Sequence, residues 1–159
     1  MMGKARLDTA ENPQRAAMTT ARTVNWELLG ILYARIALGA AFLSGIASRF
    51  GLYGKNVGYG TFANFVCYTA EVNSFMPAFT IPFLAWAATG AEFVLGIALI
   101  LGVWPRWVAL GSALLLALFG TAMAISFGIR SPLDYSVFSA SAAAVLLALR
   151  PTRKSGTYS

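Results

Sequence analysis

Apolar positions along this chain fall into four long blocks, 26–50, 81–104, 107–127 and 133–149, separated by short polar or glycine-containing breaks. A helix rising 1.5 Å per residue needs about 20 apolar residues to cross a bilayer. The first three blocks meet that length, and the fourth lies at the short end of the spanning range. The pattern therefore predicts an all-α integral membrane protein with four transmembrane helices in an antiparallel bundle. The breaks agree. Gly102 is placed to stop the second helix, and Pro105 suits the first turn of the third. The stretch SPLD at 131–134 offers a serine cap, a proline at the first helical position and an acid in the first turn, a start signal for the fourth helix.

One connection is too long for a minimal bundle. Residues 51–80 greatly exceed the usual link between bundle helices. They open with Gly51, Gly54, Gly58 and Gly60 and continue as TFANFVCYTAEV. There Tyr59, Phe62, Ala63 and Val66 would share one helical face, which predicts a short amphipathic helix on the membrane surface or folded over the bundle mouth. Residues 1–25 and 151–159 are polar and read as tails, the first of them mobile.

Composition places the chain in lipid. Hydrophobic residues make up 58% and charged residues 11%, against roughly 25% charged in soluble domains, and mean hydropathy is +0.66. The net charge of +6 does not indicate nucleic-acid binding, because the basic residues flank the apolar blocks instead of forming an aromatic-interleaved patch. They also set orientation. Lys4, Arg6, Arg15, Arg22, Arg106, Arg150, Arg153 and Lys154 would share one side, and Arg49, Lys55 and Arg130 the other. The positive-inside rule then makes both termini cytoplasmic. With no histidine and one cysteine, Cys67, the chain lacks the usual equipment for metal ligation, dithiol exchange and imidazole general-base chemistry. No catalytic residue and no metal site is expected.

Two charges lie deep within the apolar blocks. Glu92 interrupts TGAEFVLGIALILG, and Arg35 interrupts the first block. Measured from the ends of their blocks, Arg35 lies about 13 Å deep and Glu92 about 18 Å deep from the same face, which predicts that the two pair. Gly39, Ala88 and Gly96 flank them with small side chains, as close helix packing requires. Such a pair either fixes helix register or lines a site for a quinone head group, a proton or a small polar ligand.

The first block, R-IAL-G-AA-F-LS-G-IAS-R, carries Arg35, Gly39, Phe42, Gly45 and Arg49. The second, E-FVL-G-IALIL-G-VWP-R, carries Glu92, Gly96, Gly102 and Arg106. Together they resemble the DoxX-like membrane proteins over about residues 28–150, with Arg49 standing where most members have lysine. The resemblance implies a four-helix protein of the bacterial inner membrane, often assembled with redox partners. The expected function is an accessory or anchoring subunit of a membrane redox system, built around Arg35 and Glu92 with Gly39, Gly45, Ala88 and Gly96 supporting helix packing. A quinone-binding subunit and an oligomeric carrier of a small solute are the alternatives. Quinone is the one cofactor left open; the bilayer and a redox protein or a second copy are the expected partners.

Overall fold

A computed structural model describes residues 26–150; the tails 1–25 and 151–159 lie outside the described residues. Among the described residues every regular element is helical. In chain order these are α1 (Trp26–Arg49), α2 (Phe62–Val72), α3 (Ile81–Leu101), α4 (Pro105–Phe127), α5 (Arg130–Asp134) and α6 (Val137–Ala148), with a 3-10 turn at Ala78–Thr80 leading into α3. The packing below is that of the unit from Ile31 onward.

Three helices, Trp26–Arg49, Ala78–Leu101 with its leading turn, and Pro105–Phe127, are long and apolar enough to cross a membrane. Their surroundings have the polarity a bilayer demands. Phe83, Trp86, Val94, Leu101, Leu114 and Leu118 face outward, while Arg49, Thr89, Glu92 and Ser112 are buried. Polar groups sit inside because lipid offers them no hydrogen bonds.

Helix α1 buries a stripe at Leu38, Gly39, Phe42 and Arg49, and α3 buries Ile81, Ala85, Thr89, Glu92, Gly96 and Leu99. The α3 stripe advances in steps of three and four, so it keeps one face on its neighbour. The helices run antiparallel and cross where two glycines meet. A Cβ on Gly39 would lie 2.8 Å from the Gly96 carbonyl oxygen and 2.7 Å from Ile100 Cγ1. No side chain fits there without parting the backbones.

Leu95 on α3 packs over Gly111 on α4, and the Phe138 ring on α6 packs over Gly120 on α4. The Ser141 hydroxyl donates to the Ala113 carbonyl at 2.8 Å, tying α6 to α4. Leu38, Phe42, Leu99, Ala113 and Ala144 form one core shared by α1, α3, α4 and α6. The hairpin between α3 and α4 turns on Gly102, left-handed at φ 76, whose N–H reaches the Ala98 carbonyl; Pro105 then opens α4.

The fourth block departs from its expected form. Instead of one helix over 133–149, the chain makes the single turn α5, breaks at Ser136 with φ 55, and resumes as the 12-residue α6. The SPLD stretch lies inside α5, which starts at Arg130 after Ile129 with no side-chain cap, so Ser131 does not act as the expected cap. Ser136 N–H closes the turn onto the Leu133 carbonyl at 2.9 Å, so the helical ladder ends there. Helix α6 spans about 18 Å, short of the roughly 30 Å of hydrocarbon.

Candidate functional site: a roofed ion pair

At the end of α1 nearest α2, Arg49 and Glu92 form a buried ion pair. Arg49 Nη2 donates to Glu92 Oε1 at 2.7 Å, and both side chains are almost wholly enclosed, 6% and 4% exposed. The Arg49 Nη1 group donates to Thr89 Oγ1 at 2.9 Å. Thr89 in turn donates its hydroxyl proton to the Ala85 carbonyl, one turn earlier, at 2.8 Å. The threonine oxygen can therefore accept from Arg49 without leaving its own proton unpaired. Because side chains on a helix lean toward its N-terminus, an arginine in the last turn of α1 reaches back along the helix into the bundle.

This corrects the expected pairing of Arg35 with Glu92. Arg35 instead donates from Nε to the Leu99 carbonyl at 2.9 Å and from Nη2 to the Ile100 carbonyl at 3.3 Å. It thereby caps the C-terminus of α3, where the end carbonyls lack helical partners and a cation is favoured. A Cβ on Gly102 would strike the Arg35 guanidinium, so glycine there serves both the left-handed turn and the cap. The reason is register. From the Gly39–Gly96 crossing, Arg35 lies four residues toward the α3 C-terminus and Glu92 four residues the other way. That separates them by about 12 Å along the axis. Counting from helix ends misses this, because the end residues do not set the crossing point.

The other residues singled out from sequence divide by place. Gly39 and Gly96 form the crossing. A Cβ on Gly45 would lie 3.5 Å from Glu92 Oε2 and 3.9 Å from Arg49 Nη2, so Gly45 borders the ion pair itself. Ala88 is half-buried beside Thr89.

A roof of aromatic rings covers the pair. The Arg49 guanidinium carbon lies 3.7 Å from the centre of the Phe65 ring, a cation–π contact in a dry setting. Tyr59 packs on Phe65 at 5.1 Å and on Tyr68 at 5.3 Å; Phe62 meets Phe50 at 5.7 Å and Trp86 at 4.3 Å. Helix α2 carries most of this roof, capped by Thr61, whose hydroxyl oxygen accepts the Asn64 N–H at 3.2 Å. Its buried face is Phe65, Thr69 and Val72. Ala63 is exposed and Tyr59 lies in the loop before the helix, so the expected face is rotated. The glycine loop is pinned by Ser48, whose hydroxyl oxygen accepts the Tyr59 N–H at 3.0 Å. A Cβ on Gly60, at φ 67, would strike the Lys55 carbonyl oxygen.

Burial, with smaller contributions from Tyr68, Glu92 and Tyr135, pushes the Tyr59 hydroxyl up to about 12, Arg49 working in the opposite direction. Tyr68 is also raised, first by burial and then by Tyr135 and Glu71. Both phenols stay protonated at neutral pH and can donate hydrogen bonds.

Sequence reasoning placed Arg49 among the flanking charges and did not single out Phe65. A signal was present: residues 35, 38, 42, 45 and 49 alternate steps of three and four, so Arg49 shares the packed stripe with Arg35.

The fold and this site define a multi-pass helical membrane protein with an arginine–glutamate pair sealed beneath an aromatic cover. The chain belongs to the DoxX family, whose family model matches residues 30–126 and so includes Arg49, Thr89 and Glu92. No curated protein and no solved structure matches it.

Proposed function

We propose that this DoxX-family chain is a non-catalytic accessory or anchoring subunit of a membrane-associated redox system in a bacterial inner membrane. The observation that carries the reading is the Arg49–Glu92 pair, buried and roofed at one end of the bundle. Isolated charges in a membrane are costly and mark functional sites by default. A chain without histidine and with one exposed thiol, Cys67, is better supplied to hold a partner or ligand than to carry electrons itself. The basic-residue imbalance supports cytoplasmic termini and an outward-facing roof. On that topology α5, the Ser136 turn and α6 together make the fourth crossing of an antiparallel bundle, since an even number returns the chain to its starting side.

The test is isolation of the full chain from native membranes in mild detergent, beside Arg49→Ala/Glu92→Ala, which removes both charges together. The expected result is a co-purifying redox protein whose quinone reduction falls in the double variant while membrane levels hold. Quinone retained by the isolated chain without a protein partner would instead favour a quinone-binding subunit. Solute flux in liposomes by the chain alone would favour a carrier.

A further inference from the structure

The hydrogen bonds that hold α2 against the bundle lie at one end of it. Among the described residues, those joining 62–76 to the transmembrane helices all pass through Ser126 on α4. Its hydroxyl donates to the Val72 carbonyl at 2.6 Å and lies 3.2 Å from the Ser74 hydroxyl oxygen. The other end of α2 is tied to the loop before it. Ser48 accepts the Tyr59 N–H at 3.0 Å, and Asn64 Nδ2 donates to the Tyr59 carbonyl at 2.8 Å. Between Tyr59 and the cap Thr61 stands Gly60, left-handed at φ 67, the one residue type that moves through this region at little steric cost. Helix α2 is thus jointed at Gly60 and clasped at its far end, with Phe65 over the Arg49 guanidinium in between. Its other contacts with the spans are ring on ring, Phe62 on Trp86 and Tyr68 on Phe127.

Closure has a cost that opening relieves. Arg49 Nε is buried under the roof without a hydrogen-bond partner, although buried donors are normally paired. Both charges of the Arg49–Glu92 pair are also shut off from water, which offsets much of their attraction. We propose that α2 is a hinged lid that lifts about Gly60 when the Ser126 clasp opens, admitting water to the Arg49–Glu92 pair. In the closed state Phe65 keeps the pair dry. In the open state water accepts the Nε–H and solvates the carboxylate. The lid does not depend on the redox assignment, because it follows from where α2 is tied and what it covers.

The test is thiol reactivity in the full chain, held in detergent micelles with native Cys67 changed to serine. Thr69→Cys is the reporter. It lies on the buried face of α2, and the threonine hydroxyl donates only to the Phe65 carbonyl of its own helix, at 2.8 Å. A water-soluble methanethiosulfonate should modify residue 69, and Ser126→Ala, which removes both clasp bonds, should speed this about tenfold. Ser74→Cys/Ser126→Cys, oxidised to a disulfide, should block modification at 69, scored by peptide mass, and reduction should restore it. Ser112→Cys reports on unfolding of the bundle and should stay unmodified, since Ser112 is fully buried and bonds only within α4, to the Val108 carbonyl. Exchange of the Arg49 Nε–H with water, read by nitrogen-15 NMR and assigned by its loss in Arg49→Lys, should rise with Ser126→Ala and fall in the disulfide form. The proposal is overturned if Thr69→Cys is inert, if Ser126→Ala leaves its rate unchanged, or if Ser112→Cys reacts alongside it. Failure of the two clasp cysteines to cross-link, or Nε–H exchange that ignores the clasp, would overturn it as well.

Discussion

At the scale of single residues, the two arginines of α1 have separate work, and mutants should separate them. Removing one member of a buried pair strands the other charge, at about 3 to 5 kcal/mol. Arg49→Ala and Glu92→Ala should each lower folded protein in the membrane, and the double variant should recover much of it. Arg35→Ala loses hydrogen bonds to end carbonyls at a half-buried site, about 1 kcal/mol. Its effect should add to that of Glu92→Ala without coupling, since residues this far apart with no shared partner are usually independent. Detergent-denaturation midpoints for the three single variants and the Arg49/Glu92 and Arg35/Glu92 doubles would decide this; coupling above about 1 kcal/mol between Arg35 and Glu92 would contradict the register. Tyr59 offers a pH test. Its hydroxyl ionises near 10 when unfolded and near 12 in the fold, so the folded state favours the protonated form. That contribution is fully present below pH 10 and is lost as pH rises toward 12. Tyr59→Phe should flatten stability against pH in that window, as followed by thermal unfolding.

At the scale of elements, the crossing of α1 and α3 fixes which charges meet. Gly39→Ala must force the helices apart or displace Ile100, and should destabilise by about 1 to 3 kcal/mol. It should also disturb the Arg35 cap and the Arg49–Glu92 pair together. Gly90, on the same helix as Gly96, has nothing within 4 Å of an added Cβ. Gly90→Ala should therefore be neutral or stabilising, up to about 1 kcal/mol. A destabilised Gly90→Ala beside an unaffected Gly39→Ala in the same unfolding assay would misplace the crossing. Helix α2 depends on the opposite kind of contact, large rings instead of absent side chains. Its Phe65 joins roof to ion pair, so changes in the glycine loop that tilt α2 should reach Arg49 through that ring.

At the scale of the whole molecule, the apolar exterior and polar interior are the arrangement lipid selects. The testable quantity is sidedness. On the proposed orientation, with both termini cytoplasmic, native Cys67, exposed on α2, should react with a membrane-impermeant maleimide applied outside intact cells. A cysteine introduced at Arg106, in the α3–α4 hairpin, should react only after permeabilisation. The reverse pattern would invert the orientation without disturbing the fold.

Sequence alone carried everything governed by local composition and period. The three long spans, the Gly102–Pro105 hairpin and the helical segment after the first span were legible because block length, turn chemistry and hydropathy are local properties. Tertiary structure decided the register between stripes. A helix offers the same face at several heights, and a shift of one or two turns exchanges the partner of Glu92. The backbone contact of Gly39 with Gly96 sets that height, bringing Arg49 to the glutamate and leaving Arg35 to the carbonyls of α3. The face that α2 presents was settled in the same way, by neighbours distant in the chain whose packing outweighs local preference.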